Sequence, residues 1–459
     1  MIIMKFGGTS IKDADAIQNV ASIIENNLDH KPIVVLSAIA GITDLLEESI
    51  GAAVKQNIKF VEHYGERIKS THLKIITRLF RRSEYSESLT YFVNSEIEKL
   101  RVLLSAVETI RFRSDNLTHA ILSTGEILSS QIINSYLRYR ELDSQHVDAR
   151  LVMITTNPQS DIKPIPKAIR KAARHHFLPL LRKCDVATTQ GYIGATEEGI
   201  PTTLGRNGSD YTASLLGAAL EVQEIQIWTD VNGILTADPT IVPYARPLEL
   251  MTFEEACELA YFGARVLHPA SIQPALEKGI PVRVLNSNFP KEKGTIIVSH
   301  ADVNGNDSIK SIAYKENITL VSLQSSRLLF SPEILGEFFQ RMTQYGKHVY
   351  AVNKSATKLS LTIESQENLN KILNKFNFNG DVSIESKKTI VTIVGQNVKD
   401  NPILIWRIIK ILQETGVKLE LISQISSQIS FMFIIDELDI EKTVKLLHKE
   451  FIECDWSVK

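Results

Sequence analysis

The sequence predicts an α/β fold on a mostly parallel sheet, followed by a repeated pair of small α+β modules. Three observations carry that expectation. Apolar runs of strand length that end in Gly, Ser or Thr alternate with helical patterns as far as about residue 298. Residues 299–308 then break the pattern with turn and linker residues that have no apolar period. Beyond them the order strand, helix, strand, strand occurs twice, an internal repeat.

The first strand, residues 2–6, leads into Lys5-Phe6-Gly7-Gly8-Thr9-Ser10. A strand that stops in a glycine pair and restarts as a helix exposes backbone N–H groups, and a lysine beside them adds a full positive charge. That combination suits an anion, although a lysine ahead of a plain glycine turn is as good a reading of this stretch alone. Residues 13–27 place Ile17, Val20 and Ile24, with Leu28 beyond, at helical spacing behind an Asp13 cap, so the loop opens a helix. A buried strand at 33–36 runs into Ser37-Ala38-Ile39-Ala40-Gly41-Ile42-Thr43, whose hydroxyls bind a ligand or cap the next helix; the local pattern favours capping. Residues 50–116, rich in Lys, Arg and Glu and poor in glycine, read as a helical excursion without chemistry.

Further strands are expected at 186–192, 225–228 and 282–285. Between them, Thr203-Leu204-Gly205-Arg206-Asn207-Gly208-Ser209-Asp210 opens a helix at 211–220. It offers a guanidinium fork, exposed N–H groups and a carboxylate within a few residues. Reading Ser209 as an N-cap and Asp210 as a charge complementing the helix dipole leaves the glycines around Arg206 without a purpose. A fourth polar stretch, 228–239, follows another apolar strand and alone reads as a turn. These four stretches lie at element ends, where open α/β sheets hold their ligands. In the repeat, strands and helices are expected at 318–323, 332–345, 348–352 and 358–363, and again at 390–394, 403–415, 417–422 and 428–435. Loops around Gly395, Asn397 and residues 423–430 either hold a small polar ligand or simply connect.

The totals narrow the chemistry. The 459 residues, 44% hydrophobic, suffice for a large core and several domains. Lys+Arg number 51 against 53 Asp+Glu, so no basic excess points to nucleic acid or a membrane surface, and small-molecule chemistry is expected. Cys184, Cys257 and Cys454 are too few and too scattered for a disulfide framework, which fits a reducing, cytoplasmic setting. The longest apolar stretch, 33–42, falls short of the roughly 18 residues a spanning helix requires, and no signal peptide is expected. No P-loop, GxGxxG, HExxH or GxSxG pattern occurs, and the adjacent His175-His176 reads as part of a solvated helix face.

Taken together, KFGGTS, SAIAGIT, the STGE around Glu126, QGYIG, TTLGRNGSDYTA, WTDVNGI and FGARVLHP resemble the aspartate kinases of the amino-acid kinase superfamily, in order and spacing. The repeated C-terminal module looks like their tandem ACT domains, and the chain resembles the monofunctional form. The resemblance implies a three-layer αβα kinase domain over 1–298, a linker at 299–310, and ferredoxin-like ACT modules at 311–385 and 386–459. It implies transfer of the ATP γ-phosphoryl group to the β-carboxylate of L-aspartate, the first step toward lysine, threonine and methionine, with Mg2+ carried by the nucleotide. The two alternatives are a non-catalytic amino-acid sensor with a drifted ATP site and a kinase of another amino-acid carboxylate.

By resemblance, Lys5 and the N–H groups of Gly7 and Gly8 hold the phosphates, and Asp210 orients Lys5. Arg206 takes the substrate α-carboxylate and Glu126 its ammonium, with Ser37, Thr43, Tyr192, Asn207, Gly208 and Ser209 lining the same pocket. Thr229, Asp230, Leu235, Thr240, Arg265 and Val266 match nucleotide contacts. Leu235, Thr240 and Arg265 depart from the family's usual Tyr, Arg and Lys there. In the first ACT-like module Tyr350 and Asn353-Lys354-Ser355-Ala356 replace the acidic groups the family often shows, so an effector ammonium lacks its usual counter-ion. A homodimer or larger homo-oligomer and an amino-acid effector at the ACT modules are the remaining implied partners.

Overall fold

A computed structural model describes residues 1–157, 162–263, 268–300, 309–324, 332–355, 357–375, 380–396, 398, 401–423 and 429–453. The chain divides into two compact units. The first comprises Met1–Ile234, Glu249–Phe253 and Val266–Ala301; the second Leu235–Leu248, Glu254–Arg265 and Asp302–Lys459.

In chain order the first part contains β1 (Ile2–Phe6), α1 (Ala14–Glu25), β2 (Ile33–Leu36), α2 (Ile42–Val54), α3 (Ile58–Phe80), α4 (Glu84–Ile110), α5 (Asp115–Leu122) and α6 (Thr124–Tyr139). Next come β3 (Ser144–Val147), α7 (Pro166–Leu181), β4 (Val186–Gln190), a small hairpin of β5 (Ile193–Ala195) and β6 (Pro201–Thr203), α8 (Gly208–Leu220) and β7 (Glu224–Thr229). The series ends with β8 (Leu250–Thr252), α9 (Phe253–Tyr261), which apart from Phe253 belongs to the second unit, α10 (Pro269–Lys278), β9 (Val282–Asn286) and β10 (Thr295–Val298).

An eight-stranded sheet in the order β3-β4-β2-β1-β7-β9-β10-β8 forms the middle layer, parallel throughout except between β9 and β10. Its inner strands are buried because helices cover both faces of the sheet; every residue of β1 and β2 is buried. The register aligns their ends. Phe6 stands level with Leu36 and Trp228, Leu36 with Gln190, and Trp228 with Leu285. The loops after β1, β2, β4, β7 and β9 therefore emerge along one edge. The α1 helix starts where expected, with the Asp13 carboxylate accepting from the Ala16 N–H at 2.9 Å.

The charged excursion forms α2 to α5, and its apolar stripes share one core with Met4, Phe6, Ile17 and Ile132. His72 lies fully buried inside α3, its Nδ1 2.7 Å from the Ile68 carbonyl. Burial pushes its pKa down to about 4.

The second unit adds β11 (Ile309–Gln324), α11 (Pro332–Gln344), β12 (Val349–Lys354), β13 (Lys358–Glu364), α12 (Leu369–Lys375), β14 (Asp381–Gly395), α13 (Pro402–Glu414), β15 (Leu421–Ser423), β16 (Ser430–Asp436) and α14 (Ile440–His448). One antiparallel six-stranded sheet, β12-β13-β11-β14-β16-β15, carries two cores. Val321 and Leu323 of β11 pack with Phe338, Met342 and Ile372, whereas Ile309 and Ile312 of the same strand pack with Ile408, Leu412, Val444 and Leu447. The modules are thus interleaved, not laid end to end. The boundary expected at 385/386 falls inside β14, which runs unbroken from one core to the other.

The buried His72 makes the first unit acid-sensitive. Its folded pKa lies below the unfolded value near 6.5, so the stability is present above that value and is lost as pH falls toward 4. Relative to His72→Leu, the wild-type protein should lose about 2 kcal/mol between pH 7 and pH 5. Urea denaturation of both proteins at the two pH values measures this; equal losses would contradict it.

Candidate active site

Lys5 enters the site from the middle strand of the sheet, paired in register with Val35 and Ile227. Its ammonium turns back over the following loop to lie 2.5 Å from the Asp210 carboxylate, both side chains about nine-tenths buried. Asp210 sits in the first turn of α8, where a negative charge also complements the helix dipole. No side chain caps this helix: its N-cap is Asn207, in the left-handed region with φ 55°, so Ser209 is not the cap. The same holds for α2, which Gly41 opens without a side-chain cap. Ser37 and the half-buried Thr43 thus lie beside the site without the capping role that the local pattern favours.

The loops close into a ring of contacts. Phe6 O accepts from the Ser37 N–H at 3.3 Å and Gly8 O from the Ala40 N–H at 3.3 Å, tying the β1 loop to the β2 loop. Their approach explains Gly8, since a Cβ there would lie 2.8 Å from the Ala38 carbonyl oxygen. Helix α6 joins through Glu126, whose Oε1 accepts from the Ala38 N–H at 3.1 Å, and through the Ser129 hydroxyl, which donates to Ser37 O at 2.6 Å. Across the ring, Tyr192 packs on Gly208, where a Cβ would lie 2.7 Å from the tyrosine ring. Tyr192 holds φ 67°, uncommon for a bulky residue, and its backbone N–H bonds the Thr212 hydroxyl of α8 at 3.0 Å. Burial lifts the Tyr192 pKa, a hydrogen bond with Thr203 opposes the shift, and the Glu126 charge adds to it. From α8 the ring returns to Lys5.

Glu126 is 3% exposed, and burial raises its pKa to about 8. Among the described residues its Oε2 has no hydrogen-bond partner. A buried carboxyl oxygen left without a donor is suited to a cationic ligand. Arg206 lies exposed between Gly205 at φ 74° and Asn207 at φ 55°, and forms no ion pair with a described residue. This loop conformation gives Gly205 the purpose that local helix capping did not supply, while Gly208 is explained by the close approach of Tyr192.

On the other side of β1 the geometry corrects one sequence expectation. The Gly7 N–H is not open to an anion, because it donates to the Trp228 carbonyl at 3.2 Å and extends the β1–β7 ladder. Gly8 and Thr9 instead begin a short 3-10 turn, and their N–H groups are the ones such a start leaves without intrahelical acceptors. Ser10 and Ser287, which sequence reasoning left without a role, bridge here: the Ser287 hydroxyl lies 2.9 Å from Ser10 Oγ and 3.0 Å from Thr229 O. The signal was available, since Asn286-Ser287-Asn288 ends an apolar strand in polar residues like the other loops. Thr229 donates to the exposed Asp230 at 3.2 Å at the end of β7. Leu235 and Thr240 belong to the second unit, where Thr240 bonds Asp238 through both its N–H and its hydroxyl. Arg265 and Val266 lie outside the described residues.

Comparison with known proteins gives the family. Residues 1–286 fit the model of the amino acid kinase family and residues 391–451 that of the ACT domain. The chain is 33% identical to Aspartokinase 1, chloroplastic, of Arabidopsis thaliana over 98% of its own length and 80% of the relative's. It is 30% identical to lysine-sensitive aspartokinase 3 of Escherichia coli over 99% of each chain. The crystal structure of E. coli aspartokinase III in complex with aspartate and ADP superposes with a TM-score of 0.82 at 31% identity, covering 98% of this chain and 99% of that one. The complex of the same enzyme with lysine and aspartate gives 0.84 at 30% identity, with the same coverage. The chain belongs to the amino acid kinase family and, within it, to the aspartokinases.

Without ligands, Glu126 should weaken the fold as pH rises. Its folded pKa lies above the usual carboxylate value, so stability is full below about pH 4.5 and is lost up to about pH 8. Glu126→Gln removes the titration, and the wild-type protein should lose on the order of 3 kcal/mol more than this variant between pH 5 and pH 8.5. Parallel pH-dependent melts would refute the assignment if the two curves stay the same distance apart.

Proposed function

We propose that this chain transfers the γ-phosphoryl group of ATP to the β-carboxylate of L-aspartate, giving 4-phospho-L-aspartate and ADP. The observation that carries the reading is the buried Lys5–Asp210 pair on the same ring of loops as the half-satisfied Glu126 carboxyl. The relative whose structure holds aspartate and ADP supports the choice of substrates.

The acceptor is already an anion, so no general base is needed. The obstacle is bringing a carboxylate oxygen in line with a polyanionic phosphate. A new bond forms from that oxygen to the γ-phosphorus as the bond to the β,γ-bridging oxygen breaks, and ADP leaves with the electron pair. Lys5, held by Asp210, and the N–H groups of Gly8 and Thr9 offset the negative charge on the migrating group. Glu126 Oε2 accepts from the substrate ammonium, whose charge favours the ionised carboxylate. The Arg206 fork holds the α-carboxylate in a bidentate grip. Ser37, Thr43, Tyr192, Asn207, Gly208 and Ser209 line this amino-acid side, and Thr229 with Asp230 meets the nucleotide. Magnesium enters as part of the nucleotide substrate.

The second unit completes the reading as a regulatory module. Tyr350 packs against the cluster of Phe262, Ile318 and Ala351, with Lys315 Nζ 4.7 Å from its ring centre and the Tyr261 ring 5.5 Å away. The carboxylate beside Tyr350 is Glu364, which also lies 3.8 Å from Lys315 Nζ. β12 and β15 are the edge strands of this sheet, a place where a second copy can add a strand, and a homo-oligomer belongs to the same reading. Among the described residues no helix is long and apolar enough to cross a membrane, and a cytoplasmic location belongs to the same reading.

Purified protein with Mg-ATP and L-aspartate should yield an aspartyl phosphate trapped by hydroxylamine; no hydroxamate would overturn the proposal. Lys5→Met should lower kcat by roughly 1,000-fold or more, on the scale of losing a main electrostatic contact. Arg206→Lys should raise the KM for aspartate about tenfold with a smaller change in kcat, since one point charge replaces a fork. An unchanged KM would remove Arg206 from the site.

A further inference from the structure

The helical excursion that promised no chemistry forms one wall of a cavity of about 320 Å³, on the far side of α6 from Glu126. That volume falls within the roughly 300–1,000 Å³ typical of metabolite pockets. Phe92, Glu96, Lys99 and Leu103 recur at helical spacing along one face of α4. Opposite them stand Thr124, Ile127 and Gln131 of α6. Glu126, two positions beyond Thr124, lies about 200° further round the helix and reaches Ala38 instead.

The end wall is set before any ligand arrives. Gln190 Nε2 lies 3.0 Å from His146 Nε2, and Gln190 Oε1 accepts from the Ala149 N–H at 2.8 Å. The other ring nitrogen of His146 lies 3.0 Å from the Thr188 hydroxyl. Two ion pairs face the space: Glu96 with Lys99 at 2.6 Å and Asp148 with Arg150 at 2.5 Å. The four formal charges cancel. A ligand with a single net charge would meet one like charge for every opposite one, whereas a zwitterion can set its carboxylate against Arg150 and Lys99 and its ammonium against Glu96 and Asp148. Phe92, Leu103 and Ile127 offer an apolar surface for a side chain.

We propose that this cavity is a second small-molecule site, for a free α-amino acid with an apolar side chain, and that its occupancy tunes the aspartate pocket. The coupling follows from shared elements. Thr124 lies in the turn of α6 that delivers Glu126, and Gln190 is the last residue of β4, directly ahead of Gly191-Tyr192. The coupling rests on the function proposed above; the binding does not.

Calorimetric titration of the full-length protein, without nucleotide, with L-leucine, L-methionine and L-phenylalanine tests the site. At least one should bind, and its affinity should fall at least tenfold in Arg150→Met. Because Arg150 also braces its own turn through Asp148, Gln131→Trp provides a second variant that fills the cavity and leaves that pair intact; the same loss is expected. At saturation the binder should shift the aspartate KM at least twofold with kcat little changed, and Gln131→Trp should abolish the shift. No binding by any of the three, or binding unaltered in both variants, would overturn the site. Binding that leaves the aspartate KM unmoved would overturn the coupling, whatever the protein's turnover.

Discussion

The buried ion pair between Lys5 and Asp210 is the constraint around which the first unit is arranged. Removing two charges from water costs several kcal/mol per ion before their attraction returns any of it, so such a pair is a poor device for stability alone. Its value is positional. Lys5 projects from the most central of the parallel strands, Asp210 from the first turn of a helix, and neither end has slack. The carboxylate keeps the ammonium above the glycine loop instead of letting it extend into solvent. That pre-set placement is what electrostatic catalysis of phosphoryl transfer requires.

Close approach of backbones makes the arrangement possible. Gly8 against the Ala38 carbonyl, and Gly208 against Tyr192, allow three loops to meet where side chains would hold them apart. The left-handed Tyr192 is the counterpart of these contacts, a strained residue held by Thr212 on one side and by the β6 hairpin through Leu204 on the other. Once the loops meet, a single carboxyl oxygen of Glu126 is left inside without a donor among the described residues. The site is thus cationic on the Lys5 side and ready for a cation on the Glu126 side, which is the polarity an amino acid needs when its far carboxylate must meet a phosphate.

Much of this was legible in the residues, because apolar runs closed by Gly, Ser and Thr report strand ends, and strand ends are where the ligands of such sheets sit. The β1, β2 and β7 strands and the α1 cap stand where the pattern places them. What escaped the sequence depends on partners distant in the chain. Nothing local shows that the Gly7 N–H is taken up by Trp228, or that Ser10 meets Ser287. Nor do Ser37 and Ser209 reveal that glycine and asparagine open the helices beside them. In the second unit a repeated pattern suggested two consecutive modules. Long strands β11 and β14 each serve two cores, and a period in sequence does not distinguish stacking from interleaving.

The account stands on Lys5 and Asp210 acting as one unit, and a double-mutant cycle on kcat/KM for aspartate measures that directly. Asp210→Asn should weaken the wild-type enzyme but add little to Lys5→Met, because a carboxylate whose task is to hold an ammonium has nothing to do once the ammonium is gone. If the two losses multiply in the double variant, Asp210 acts independently of Lys5 and the central claim fails.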